Sequence, residues 1–193
     1  MTKKKKFRKA ELSLRKKIFL IAIPLVALRF ALCVLHLFLA DVSFNNGEGA
    51  KRYGFFEQAA EDYRAAIALN PREPRYHREL AYVLARLGEV EAAAREAEIA
   101  YNLNPKNSLT IRSLVSTYIE LSDFDPQYQI RAEELIAEAI VQQPTNPQLY
   151  YEQALILLRA KKNKEAITSL KKAVELKPDY QKARELLETF LHN

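Results

Sequence analysis

The pattern of apolar and polar positions divides the chain into three stretches. Residues 1–17 are polar and basic. From Ile18 to Ala40 nearly every position is apolar (IFLIAIPLVALRFALCVLHLFLA), a run of 23 residues broken only by Pro24, Arg29 and His36. From Asp41 onward apolar residues recur every three or four positions, the spacing of one helix face, and Pro, Asn and Asp punctuate the segments. The pattern predicts one long apolar helix followed by a series of short amphipathic helices, an all-α chain.

The punctuation is periodic. Pro71 and Pro105 stand 34 residues apart, as do Gly54 and Gly88, Ala66 and Ala100, Pro144 and Pro178, Ala132 and Ala166, and Ala139 and Ala173. The step from Pro105 to Pro144 is 39, so five residues are inserted, and they fall in the turn-like stretch Ser122–Tyr128. A fixed period of this length is the mark of stacked helical pairs, each burying its face against a neighbour. The small positions let paired helices approach closely and the large ones fill between them. The prolines stop the second helix of each pair.

These residues resemble the tetratricopeptide repeat (TPR) family. Its pattern places a bulky residue at position 4, Leu at 7, Gly or Ala at 8, an aromatic at 11, Gly at 15, Ala at 20 and 27, an aromatic at 24 and Pro at 32. Repeat one (40–73) supplies Gly47, Gly54, Ala59, Tyr63, Ala66 and Pro71. Repeat two (74–107) supplies Leu80, Ala81, Leu84, Gly88, Ala93, Ala97, Ala100 and Pro105. Repeat three (108–146) has Leu114, Tyr118, Ala132, Ile136, Ala139 and Pro144, and repeat four (147–180) has Tyr150, Ala154, Leu157, Ala166, Leu170, Ala173 and Pro178. The resemblance implies an α-solenoid of four helix pairs, closed by a capping helix at 179–192. In that helix Ala183, Leu186, Leu187 and Phe190 would face the last repeat, with Asp179 as N-cap. Ser43 and Asn46 stand where repeat one should be bulky, so its first helix is expected to pack loosely. Ser122 and Lys161 replace the turn glycine of repeats three and four.

Charge sharpens the division. The net charge of +6 is concentrated in residues 1–17, where nine Lys/Arg oppose the single Glu11; beyond residue 40 the balance is 20 bases against 23 acids. A slightly acidic repeat region gives no general electrostatic footing on nucleic acid, so no nucleic-acid partner is expected. Residues 18–40 form a helix of about 34 Å, enough for a hydrocarbon core of about 30 Å. Arg29, at its middle, costs about 2.5–3.5 kcal/mol on insertion, which the Leu, Ile, Phe and Val around it outweigh. Three expectations follow: a basic cytoplasmic tail (1–17), a single-pass signal anchor (18–40), and a repeat domain (41–193) across the membrane, by the positive-inside rule. In a bacterium that is the inner membrane with the repeats extracytoplasmic. A cleaved signal peptide fits less well, because Phe38-Leu39-Ala40 puts a large residue where a small one is needed. Asp41 follows the apolar run directly, so the anchor should lead into the first repeat helix almost without a break.

Candidate chemistry is sparse. Cys33 is the one cysteine, and His36, His77 and His192 share no metal-ligand spacing, so no metal site, cofactor or enzymatic activity is expected. The TPR resemblance implies a concave groove lined by the first helix of each pair. Arg75, Arg78, Tyr82, Arg86, Arg112, Tyr151 and Arg159 occupy groove positions and would form a basic, aromatic stripe for an acidic or C-terminal segment of a protein partner. The alternative is that Glu79, Glu120 and Glu152 neutralise them and the stripe is ordinary solvated surface. The carboxylate clamp of chaperone-tail receptors is not matched, since Phe44, Glu48, Glu79, Leu109 and Arg112 stand at its positions. Two functions remain open. One is a membrane-anchored scaffold in an envelope assembly. The other is an accessory subunit of a membrane enzyme, with Arg29 and His36 satisfied by the enzyme's helices. Leu39–Phe44 and the Asn70–Tyr76 and Pro144–Pro147 turns are similar to the TPR tail of bacterial O-antigen ligase or polymerase proteins. Mitochondrial import receptors also join an N-terminal anchor to TPRs, though with the repeats facing the cytosol. Self-association through end repeats is a further expectation.

Overall fold

A computed structural model describes residues 14–191; most of the basic tail (residues 1–13) and the last two positions, including His192, lie outside the described residues. The described residues form nine α-helices and no strand: α1 (Leu14–Arg52), α2 (Phe56–Leu69), α3 (Pro74–Leu87), α4 (Val90–Leu103), α5 (Ser108–Leu121), α6 (Gln127–Gln142), α7 (Pro147–Arg159), α8 (Asn163–Leu176) and α9 (Gln181–Leu191). They pack as the pairs α1/α2, α3/α4, α5/α6 and α7/α8, each against the next, and α9 closes the row on α8.

Local chemistry sets the helix ends. Asn70, Asn104, Gln143 and Lys177 each precede a proline, and all four are pushed out of the helical basin, with φ between −152° and −136°. Two residues after the first three of these prolines, Glu73, Asn107 and Asn146 turn a side-chain oxygen onto a backbone N–H of the following helix at 3.1–3.3 Å. The same phase puts Tyr180, not Asp179, at the cap position of α9. Tyr180 has no such side-chain oxygen to place there, and its ring lies on Tyr151, centroids 5.3 Å apart. The turns within pairs use left-handed backbone at Gly54 and Gly88. At the equivalent place in the last pair Lys161 takes φ 59°. Ser122 stays right-handed because the longer α5–α6 loop no longer needs the reversal.

The alanines at the close-approach positions (59, 66, 93, 100, 132, 139, 166, 173) are all 0 % exposed, so each pair meets backbone to backbone at these points. Between them lie Tyr63, Leu84, Leu114, Ile136, Leu149 and Leu170. In α9 Ala183 is buried, and Leu186 and Leu187 are partly covered by the last pair.

The first helix is not loose. α1 runs unbroken from the apolar stretch through Arg52. Ala40 is buried in a cluster with Ala66 and Tyr76. Phe44 lies 5.6 Å from the Tyr63 ring and 5.1 Å from that of Tyr76. Gly47 lets the Tyr63 ring reach the helix backbone, where even a Cβ would stand 2.7 Å from it. Bulk missing at Ser43 and Asn46 is thus supplied by one aromatic residue on α1 and by tyrosines of α2 and α3. From Ala22 to Leu39 α1 is exposed on all sides, and the described helix is long and apolar enough to cross a membrane.

Candidate functional site

The first helices of the pairs share one concave face. Glu48, Lys51 and Arg52 of α1, Phe56 of α2, Glu79 and Tyr82 of α3 and Ser113 and Ser116 of α5 line a depression of about 500 Å³. A second, of about 390 Å³, is lined by Leu109, Arg112, Ser113, Val115, Ser116 and Ile119 of α5 with Glu152 and Leu155 of α7. Ser113 and Ser116 border both. The two depressions therefore adjoin at these small side chains, along the first helices of the pairs.

Ion pairs form the floor of the groove. Lys51 Nζ sits 2.6 Å from both Glu48 and Glu79, and Tyr63 donates its hydroxyl to Glu48 at 2.5 Å. Burial alone would lower the pKa of Lys51 and raise that of Glu48. The hydrogen bonds outweigh burial, so Lys51 is held above and Glu48 below its ordinary range. Arg78 pairs with Glu79 at 2.8 Å, and Arg112 grips Glu152 through Nε and Nη2, an arrangement that raises the arginine's pKa further.

The seven residues expected to form the stripe are therefore distributed as follows. Arg78, Tyr82 and Arg112 lie along the floor. Arg86 and Arg159 sit near the turns within pairs, paired with Glu120 and Asp123. Arg75 belongs to the opposite corner, over the Phe44 ring and beside Glu73 and Asp41. Tyr151 packs toward α9 against Tyr180. Every one of the five arginines has a carboxylate within 4 Å, so the surface is a self-neutralised network and not an open basic stripe. Arg52 is the groove base with no acidic partner among the described residues.

The groove's distinctive chemistry is apolar. Leu109 is 60 % and Leu155 41 % exposed, and both line the depression that also holds Arg112, Glu152 and Ile119. Sequence reasoning named Leu155 as a groove position but gave it no weight, and left Glu48 and Lys51 out of the stripe. Position 2, which selects Arg75 in repeat two, selects Leu109 in repeat three, and position 12 selects Lys51 in repeat one and Ile119 in repeat three.

The histidine of the repeats is structural. His77 is 5 % exposed, with Nδ1 2.6 Å from Glu96 and Nε2 3.0 Å from the Pro71 carbonyl. Among the described residues no group of three or more His, Cys, Asp or Glu is placed to hold a metal ion. Arg29 and His36 are exposed on α1 before the solenoid begins.

Two tetratricopeptide-repeat family models match the sequence, one over residues 36–108 and one over residues 147–180, together more than half of the chain. The unmatched part between them holds the insertion of the third pair. No curated protein matches. Among solved structures, MamA 41-end from Desulfovibrio magneticus RS-1 superimposes with a TM-score of 0.61 at 18 % identity, covering 78 % of this chain and 82 % of that one. TTC0263, a thermophilic TPR protein of Thermus thermophilus, gives 0.61 at 20 % identity over 78 % and 80 %. YrrB, described as a TPR protein with an unusual peptide-binding site, gives 0.60 at 17 % over 77 % and 74 %. At these identities the likeness concerns the fold.

Proposed function

Because the chain belongs to the tetratricopeptide-repeat family, we propose that it is a non-catalytic scaffold, anchored in a membrane by the N-terminal part of α1, that holds a helix or extended segment of a protein partner in its concave groove. The observation that carries this reading is the Leu109–Leu155 depression. Two leucines left exposed on the concave face, with serines beside them that clear the approach, form a seat for an apolar side chain. The ion pairs around it add selectivity. A partner carboxylate near Arg52 gains a base with no competing acid, whereas one over Arg112 must displace Glu152. The basic tail puts the N-terminus in the cytoplasm and the solenoid on the other side, a place in a bacterial envelope assembly.

The test is a crosslinking pull-down from native membranes with the intact chain and with Leu109→Asp combined with Leu155→Asp. Both side chains are exposed, so the double variant should fold. Loss of a partner captured by the intact chain supports the groove. Retention of the same partner contradicts it.

A second reading is favoured by one observation, the exposed Arg29 and His36 within the apolar helix. It makes the chain an accessory, non-catalytic subunit of a membrane enzyme such as an O-antigen or polysaccharide ligase or polymerase system. Arg29→Leu would leave the free scaffold unharmed but would damage the accessory subunit.

A further inference from the structure

α1 is one uninterrupted helix, so the rotational phase of its membrane part is fixed by the solenoid. At about 100° per residue, Arg29, Cys33 and His36 fall with Ala40, Phe44 and Gly47 in a single arc of about 80°. Pro24 lies before Arg29 and does not disturb this register. The last three of these residues are the ones α1 buries against Tyr63, Ala66 and Tyr76. The two polar residues of the apolar segment therefore project from the side of α1 on which the repeats stack, directly beneath the edge of the solenoid. Arg29 lies about 16 Å along the axis from Ala40, near the centre of a hydrocarbon core of about 30 Å, and His36 about 6 Å from it, near the interface.

Arg29 has no acid within its own reach. The nearest acidic residue along α1 is Asp41, about 18 Å further on. Asp41 Oδ1 already accepts from the Tyr76 hydroxyl at 2.7 Å and lies 3.5 Å from Arg75. Arginines at that depth almost always face protein and pair with another group there.

We infer that this arc is a docking face for a transmembrane helix of a different chain, one that carries an Asp or Glu at the depth of Arg29 and lies under the repeats. A second copy of this chain fits poorly, because parallel packing of two such faces would set Arg29 against Arg29 at the same depth. A carboxylate pairs with the guanidinium through two hydrogen bonds and removes both charges from lipid. The inference rests on the anchored reading above and adds the face and the chemistry of the partner.

The experiment uses the full chain in native membranes, with a photoreactive phenylalanine analogue at position 33, on the arc, or at position 31, on the opposite side. The expected result is an adduct from position 33 and not from 31, whose crosslinked peptide is a transmembrane segment containing Asp or Glu. It should disappear with Arg29→Leu, which still inserts, and persist with Arg29→Lys. Equal adducts from both positions, an adduct between two copies, an adduct with lipid alone, or survival of the adduct in Arg29→Leu would each overturn the inference. Alkaline carbonate extraction separates the two failures. A chain that washes off the membrane defeats the anchor itself, whereas one that stays without forming the adduct defeats only the docking face.

Discussion

Three residues make the stability of the array legible at atomic scale. Gly47 leaves room for the Tyr63 ring, and a side chain there has nowhere to go because Tyr63 is fully buried. Gly47→Leu should destabilise the solenoid by about 2 kcal/mol or more, overpacking exceeding the gain of about 1 kcal/mol in helix propensity. A thermal melt of the variant checks it. Lys161 adopts a backbone conformation that costs a non-glycine residue about 1 kcal/mol, so Lys161→Gly should raise the melting temperature by a few degrees. His77 carries a pH dependence. Burial pulls its pKa down, but Glu96 and the Pro71 carbonyl present an acceptor to each ring nitrogen, so the doubly protonated ring is favoured and the pKa is raised overall. Its contribution is full below the unfolded value of about 6.5 and is lost as pH rises through the higher folded value. Replacing it with Gln should therefore lower the melting temperature more at about pH 6 than at about pH 9.

Among the elements, α1 is the one that departs most from what its sequence announces. Pattern positions alone made its repeat half look weak, because Ser43 and Asn46 stand where bulk belongs. The compensation comes from Phe44, one position along, and from tyrosines 63 and 76, far off in the chain. That is a tertiary fact with no local signal. The periodic features were readable for the opposite reason. Pro-preceding residues, cap positions and small alanines act within a few residues or at a fixed spacing, and even the misplaced cap at Asp179 is corrected by counting two residues from Pro178. Continuity of α1 has a direct consequence. Limited proteolysis with chymotrypsin in native membranes should cut first at the α1–α2 turn, where Tyr53 and Phe55 are 76 % and 63 % exposed, and should spare Phe38 to Phe44. Ready cleavage within 38–44 would mean the anchor and the first repeat are joined by a flexible linker.

For the whole molecule, an unbroken first helix and a neutralised groove support the proposed adaptor, one that reads shape and apolar complementarity more than net charge. The arginines along the groove were visible in the sequence. Their pairing was not, because Arg112 and Glu152 are 40 residues apart and meet only when α5 and α7 stand side by side. The apolar seat was equally hidden, since Leu109 on α5 and Leu155 on α7 gain meaning only from each other. The most direct measurement of the central claim places a photoreactive residue either at position 155, in the groove, or at position 141, exposed on the other face in α6, in the full chain in native membranes. The account predicts a protein adduct from 155 that Leu109→Asp abolishes, and none from 141. An adduct from 141 with silence at 155 would contradict it and move the working surface to the convex side.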